Sequence, residues 1–177
     1  MKLFAALFLT WSLLSASCHD PITERAIAAL GPEVAGIPPG PLHRPNQPCV
    51  LCHATGGTAA AFAVGGTVYR DPEGRAPLAG VTVVLADRAG GRQQAITNCA
   101  GNFFIRSDEW RLRSPVWTTL VGGSQLIDME SPIYREGSCA ACHGDPAGPA
   151  SAGHVFLTDD PLAAIDLPPD PSCEAAR

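Results

Sequence analysis

The pentapeptide Cys-x-x-Cys-His occurs twice in this 177-residue chain, as Cys49–Val50–Leu51–Cys52–His53 and as Cys139–Ala140–Ala141–Cys142–His143. Each copy puts two thiols on one turn of backbone and follows them with an imidazole. Neither copy has a flank long enough to enclose a large group alone. The chain between the copies must therefore bring them together, and this requirement limits the fold more than any other feature. That chain reads as short strands at Phe62–Tyr69, Gly80–Asp87, Gln93–Thr97, Asn102–Arg106, Val116–Val121 and Gln125–Met129. Turn signals separate them, among them Asp71–Pro72–Glu73–Gly74 and Ala89–Gly90–Gly91. Regularly spaced short strands predict a mainly β fold, a small β-sandwich over residues 62–128. The flanks, 18–61 and 129–177, read as irregular: 18 Gly and 17 Pro leave little room for long helices. Pro21 to Leu30 is a short helix with Gly31 as its stop, and Gly153–Leu157 is a last strand.

The motif chemistry uses every residue type in it. Two thiols can add to the two vinyl groups of haem as thioethers, and the two-residue gap matches them to one turn. The following histidine then supplies the proximal ligand to iron. On this reading Cys49, Cys52, Cys139 and Cys142 bind two c-type haems, with His53 and His143 on the irons. A four-cysteine zinc site is the alternative; it leaves both histidines unexplained. A pair of structural disulfides is a second alternative, and a two-residue gap strains such a bridge. The motifs resemble those of multihaem c-type cytochromes, over the two pentapeptides and their flanks only. That resemblance implies electron transfer with redox partner proteins. For the sixth ligands the mature chain offers His43 and His154, each near one motif, which would make both irons bis-histidine; solvated loop residues are the other reading. His19 is expected at the surface. Met129 reads as strand packing rather than as a ligand, and Arg44 and Arg135 are candidates for the haem propionates.

The first seventeen residues resemble a bacterial export signal: Lys2, an apolar run Leu3–Leu14, then Ser15–Ala16–Ser17. Leu14–Ser15–Ala16–Ser17–Cys18 also resembles a lipoprotein lipobox, which makes Cys18 a lipidation site; ordinary cleavage would leave it a free thiol. The expected location is therefore periplasmic, or an outer-membrane lipoprotein held by its N-terminal lipid. The net charge is −5, and loss of Lys2 leaves about −6 by subtraction. An acidic chain with no other lysine argues against nucleic-acid partners. Of the seven cysteines, the motifs use four and the lipobox one. Cys99 and Cys173 remain; in an exported protein they are a candidate disulfide, the alternative being a buried thiol and a tail residue.

Gly66–Thr67–Val68, Pro77–Leu78–Ala79–Gly80–Val81–Thr82–Val83 and Thr97–Asn98–Cys99–Ala100–Gly101–Asn102–Phe103–Phe104 resemble, in that order, the carboxypeptidase regulatory-like domain. The resemblance covers roughly residues 62–128 and implies a transthyretin-like sandwich with a spacing or adhesive role. Cys99 stands where that family usually has an acidic residue. No Ser/His/Asp pattern or paired carboxylates stand out, so an electron carrier is favoured over a catalyst. Two other functions stay open: a peroxidase-like dihaem enzyme with one open iron, and a surface adhesion or structural lipoprotein using haem as a staple.

Overall fold

Strand β1 (Phe62–Tyr69) is the centre of the molecule, and Val64 to Tyr69 are all buried although two adjacent glycines stand in the middle of the run. The coordinates are a computed structural model that describes residues 20–33, 39–57, 59–158 and 173. The expected export signal, Cys18, His19 and all of the acidic tail except Cys173 lie outside the described residues. The chain divides into an N-terminal unit, residues 1–30, and a main unit, residues 31–177. In the first unit Pro21–Ala29 forms helix α1, with Pro21 in its first turn. The Asp20 carboxylate caps it by accepting from the Ile22 amide at 3.0 Å. Among the described residues no helix is long and apolar enough to cross a membrane.

The main unit is a two-sheet β-sandwich. Its strands after β1 are β2 (Thr82–Asp87), β3 (Arg92–Ile96), β4 (Asn102–Arg106), β5 (Val116–Gly122), β6 (Gln125–Asp128) and β7 (Val155–Phe156). One sheet has the order β4–β1–β7, with β7 parallel to β1, and the other has the order β3–β2–β5–β6. On β2, Val83 and Leu85 face inward while Thr82, Val84 and Ala86 are only partly covered, the period-two pattern of a sheet with one solvated face. They meet Val64 and Val68 of β1, Phe103 and Ile105 of β4, and Val116 and Leu120 of β5 in one core, closed by Trp110 and Leu157. Asp87 ends β2 by turning its carboxylate back onto the amides of Ala89 and Gly91, each at 2.8 Å.

The strands fall where the spacing of short runs and turn signals predicts them, with shifts at their ends that have local causes. The strand expected from Gln93 to Thr97 stops at Ile96. Thr97 instead donates its hydroxyl to the Leu78 carbonyl at 2.6 Å and accepts from the Val81 amide at 2.9 Å. The expected final strand shrinks to Val155–Phe156. Met129 lies just past β6, half-buried rather than in the core.

β1 departs most from a solvated edge sheet, because its outer face is also covered. The segment before the first motif lies across it: the Asn46 amide donates to the Thr67 hydroxyl at 2.7 Å. A bulge between Phe62 and Val64 shifts the register so that Phe62 lies opposite Arg106 and shares the outer face with Phe104.

Cys99 and Cys173 are joined by a disulfide with Cα atoms 5.1 Å apart, across a separation of 74 residues. A loop of that length restricts the unfolded chain strongly. Cys173→Ser is expected to cost about 4 kcal/mol of stability. Denaturant titration should show this as a lower midpoint; an unchanged midpoint would mean that the bridge constrains nothing.

Candidate functional site

Both pentapeptides wind into single tight turns, preceded in each case by an extended residue, Pro48 or Ser138. Cys49–Cys52 is one turn of α-helix, α2, and the His53 amide donates to the Cys49 carbonyl at 3.0 Å. Cys139–Ala141 is a 3-10 turn, and the His143 amide donates to the Cys139 carbonyl at 2.8 Å. In both copies, then, a hydrogen bond from the histidine amide to the first cysteine's carbonyl draws the motif into one compact unit.

The two units meet on β1. A side-chain carbon at Gly65 would stand 3.0 Å from Cys49 Cβ and 3.2 Å from its Sγ. At Gly66 it would stand 2.7 Å from both Cys139 Cβ and Cys139 Sγ. Successive strand residues point to opposite faces, so Cys49 covers the outer side of β1 and Cys139 the side toward the core, against which it packs. Glycine in mid-strand marks such a close approach. Backbone contacts fasten the arrangement: the Gly65 amide donates to the Gly137 carbonyl at 2.9 Å. The Val50 amide donates to Ser138 Oγ at 2.8 Å, a direct hydrogen bond from the first motif to the residue preceding the second. Ser138 is 2% exposed, and its own amide donates to Glu136.

Burial pushes the Cys49 thiol up to about 11. It pushes Cys139 up to about 12, with the neighbouring Cys49 adding to the effect. Both groups are held as neutral thiols at ordinary pH.

Three histidines have the same ring arrangement. Nδ1 of His53 faces the Ala60 carbonyl at 2.7 Å, that of His143 the Gly153 carbonyl at 3.0 Å, and that of His154 the Pro72 carbonyl at 3.1 Å. A carbonyl only accepts, so in these three contacts Nδ1 is the donor, and in the neutral ring Nε2 then keeps its lone pair, the tautomer used by a metal-bound histidine. His43 Nδ1 differs: it lies against both the carbonyl and the amide of Gly40, and the amide donates to it at 3.4 Å.

The rings differ in their neighbours. His53 stacks on Phe62 with centroids 3.9 Å apart, and Phe62 on Phe104 at 4.5 Å, both nearly parallel. The β1 bulge makes this row possible by turning Phe62 outward. His43 lies on the other flank of the same motif, with its ring 5.9 Å from His53 and 20° from parallel. His154 meets the edge of Tyr69 at 4.8 Å, and its ring fills the space a side chain at Gly74 would need. The structure thus brings His43 to the first motif and sets His154 at the far end of β1, beside Tyr69. The carbonyl preceding His154 is the one that holds His143. Arg44 is engaged by Glu33 at 3.4 Å, Gln47 at 2.8 Å and the Gly31 carbonyl at 2.9 Å. Arg135 is exposed. Among the described residues no three His, Cys, Asp or Glu side chains gather as a metal site.

Sequence reasoning alone misses Gly65–Gly66, Ser138 and the Phe62–Phe104 pair. The one available signal is the glycine doublet inside an otherwise strong strand. Comparison with known proteins returns no matching family model, no matching curated protein and no matching solved structure.

Two outcomes follow for the chain with its thiols free. At pH 8, alkylation of Cys139 should run at least about tenfold slower than that of an ordinary exposed thiol, because burial pushes its pKa up and the strand covers part of it. Gly66→Val should expose Cys139 and remove most of that protection. Equal labelling of wild type and variant would show that β1 does not shield the thiol.

Proposed function

We propose that this protein is an exported dihaem c-type cytochrome that carries electrons, with one haem on each Cys-x-x-Cys-His motif. The observation that carries the reading is the meeting of both motifs on Gly65 and Gly66 of one strand. Structural cysteine pairs have no need to share one strand, whereas two redox groups that exchange electrons must be near each other.

The residues suit the group. Cys49 with Cys52, and Cys139 with Cys142, are the thioether donors; His53 and His143 are the proximal ligands. Bound there, haem supplies a one-electron iron couple. The chain orients the His53 and His143 imidazoles through Nδ1–H to carbonyl hydrogen bonds, which would leave Nε2 of each for the metal. The aromatic row His53–Phe62–Phe104 offers a flat apolar wall beside the first motif. His43 is the proposed second ligand at the first motif, by its position beside His53. His154 is proposed for the second motif, on the weaker ground that its neighbour Gly153 holds His143.

The sandwich is proposed as a scaffold of the carboxypeptidase regulatory-like kind. Its seven strands in two sheets support that reading. Export and lipidation at Cys18 are proposed from the sequence alone, as is exchange with redox partner proteins.

The test is intact mass and ferric spectra of protein expressed with a haem-attachment system. Two added haems and low-spin iron are expected, with acylation at Cys18. One haem or none overturns the assignment. A high-spin signal from one iron assigns the peroxidase-like, open-site function instead. Two haems that no donor reduces at a useful rate leave the adhesive or structural role.

A further inference from the structure

The loop that carries His43 is held to the sandwich by one side chain in particular. Asn102, at the start of β4, is 8% exposed. Its Nδ2 donates to the His43 carbonyl at 3.0 Å and to the Pro41 carbonyl at 3.2 Å. Its Oδ1 accepts from the Thr67 hydroxyl at 2.7 Å, and that hydroxyl in turn accepts from the Asn46 amide. Asn98 adds a second donor to the Pro41 carbonyl at 2.6 Å. Both N–H groups of Asn102 are thus spent on the loop, and its oxygen is tied to β1. Only a side-chain amide presents two donors and an acceptor from one short stem. An aspartate would turn oxygen toward two carbonyls, and a leucine would leave the His43 carbonyl and the Thr67 hydroxyl proton without the partner Asn102 gives them, while Asn98 would still serve the Pro41 carbonyl.

The loop needs holding. Arg44 and Asn46 both adopt left-handed backbone conformations, at φ 49° and 58°; asparagine takes this conformation readily, but an arginine does so only where its surroundings hold it. His43 immediately precedes this pair, so its ring position depends on the loop keeping that shape.

We propose that Asn102, supported by Thr67, is a positioning residue that presents His43 as the second axial ligand of the iron bound through His53. The proposal rests on the dihaem reading above and adds to it a role for a residue of the sandwich, 59 positions away in the chain. It gives the sandwich a part in orienting a ligand, beyond that of a spacer.

The experiment compares the full haem-loaded protein with its His43→Ala, Asn102→Leu and Thr67→Val variants by electron paramagnetic resonance, with and without added imidazole. His43→Ala should convert one of the two low-spin signals to high-spin, and imidazole should restore it. Asn102→Leu should raise the high-spin fraction of that same iron about tenfold, the shift expected from one net hydrogen bond. Imidazole should reverse it, and the other iron should be unmoved. If His43→Ala leaves both irons low-spin, His43 is no ligand and the dihaem coordination scheme is wrong at that point. If His43→Ala converts one signal while Asn102→Leu and Thr67→Val both match wild type, the positioning role is overturned and the ligand assignment stands. Should Asn102→Leu fail to fold, Thr67→Val decides, because it frees Asn102 from β1 without leaving the loop carbonyls unpaired. Disturbance of both irons by either variant would mark a general structural role and also overturn the proposal.

Discussion

The close approach of two cysteines to Gly65 and Gly66 is the constraint on which the rest of this structure depends. A strand that is to be touched on both faces cannot carry side chains at the points of contact, and two adjacent glycines clear both faces at once. Glycine weakens a strand interior, so β1 needs support from elsewhere. It receives it from β4 on one edge, from β7 and the Gly137–Ser138 backbone on the other, and from Val64 and Val68 in the core. The sandwich is thereby organised around a strand whose mid-section is shaped for two visiting turns.

The two faces of that strand are finished differently. Toward the core, Cys139 extends the apolar packing and approaches the region of Phe103. On the outside, polar groups take over: Thr67, Asn102 and Asn98 hold the backbone of the incoming segment. The aromatic pair Phe62–Phe104 closes the end nearest His53. One face is thus held by packing and the other by directional bonds to loop carbonyls. Directional bonds suit a segment with no repeating secondary structure, because its backbone groups need partners that no helix or sheet supplies.

The architecture was largely legible in the residues, and the assembly of the site only in part. Thr82–Asp87 and Asn102–Arg106 show themselves as short runs of β-branched and aromatic residues bounded by turn signals, and each puts one face in the core and turns the other away from it. Strand ends were less legible. Thr97 looks like a strand residue by type, yet its hydroxyl is committed to Leu78 and Val81. At the site, the pentapeptides name themselves, and their need to meet could be argued from flank length. Where they meet could not. The register shift at Phe62 and the use of Ser138 as a link depend on contacts between segments far apart in sequence, and no local pattern carries such information. His43 and His154 look equivalent in sequence, each a lone histidine in a turn-rich loop. They differ in space, one beside His53 and the other against Tyr69.

The adjacency of Gly65 and Gly66 also couples the two motifs mechanically. They lean on successive residues of one strand from opposite faces, and the Gly65 amide is hydrogen-bonded to the segment that leads into the second motif. A shift of β1 along its own axis would move both contacts together. The strand serves as a common ruler: one register sets the position of both turns.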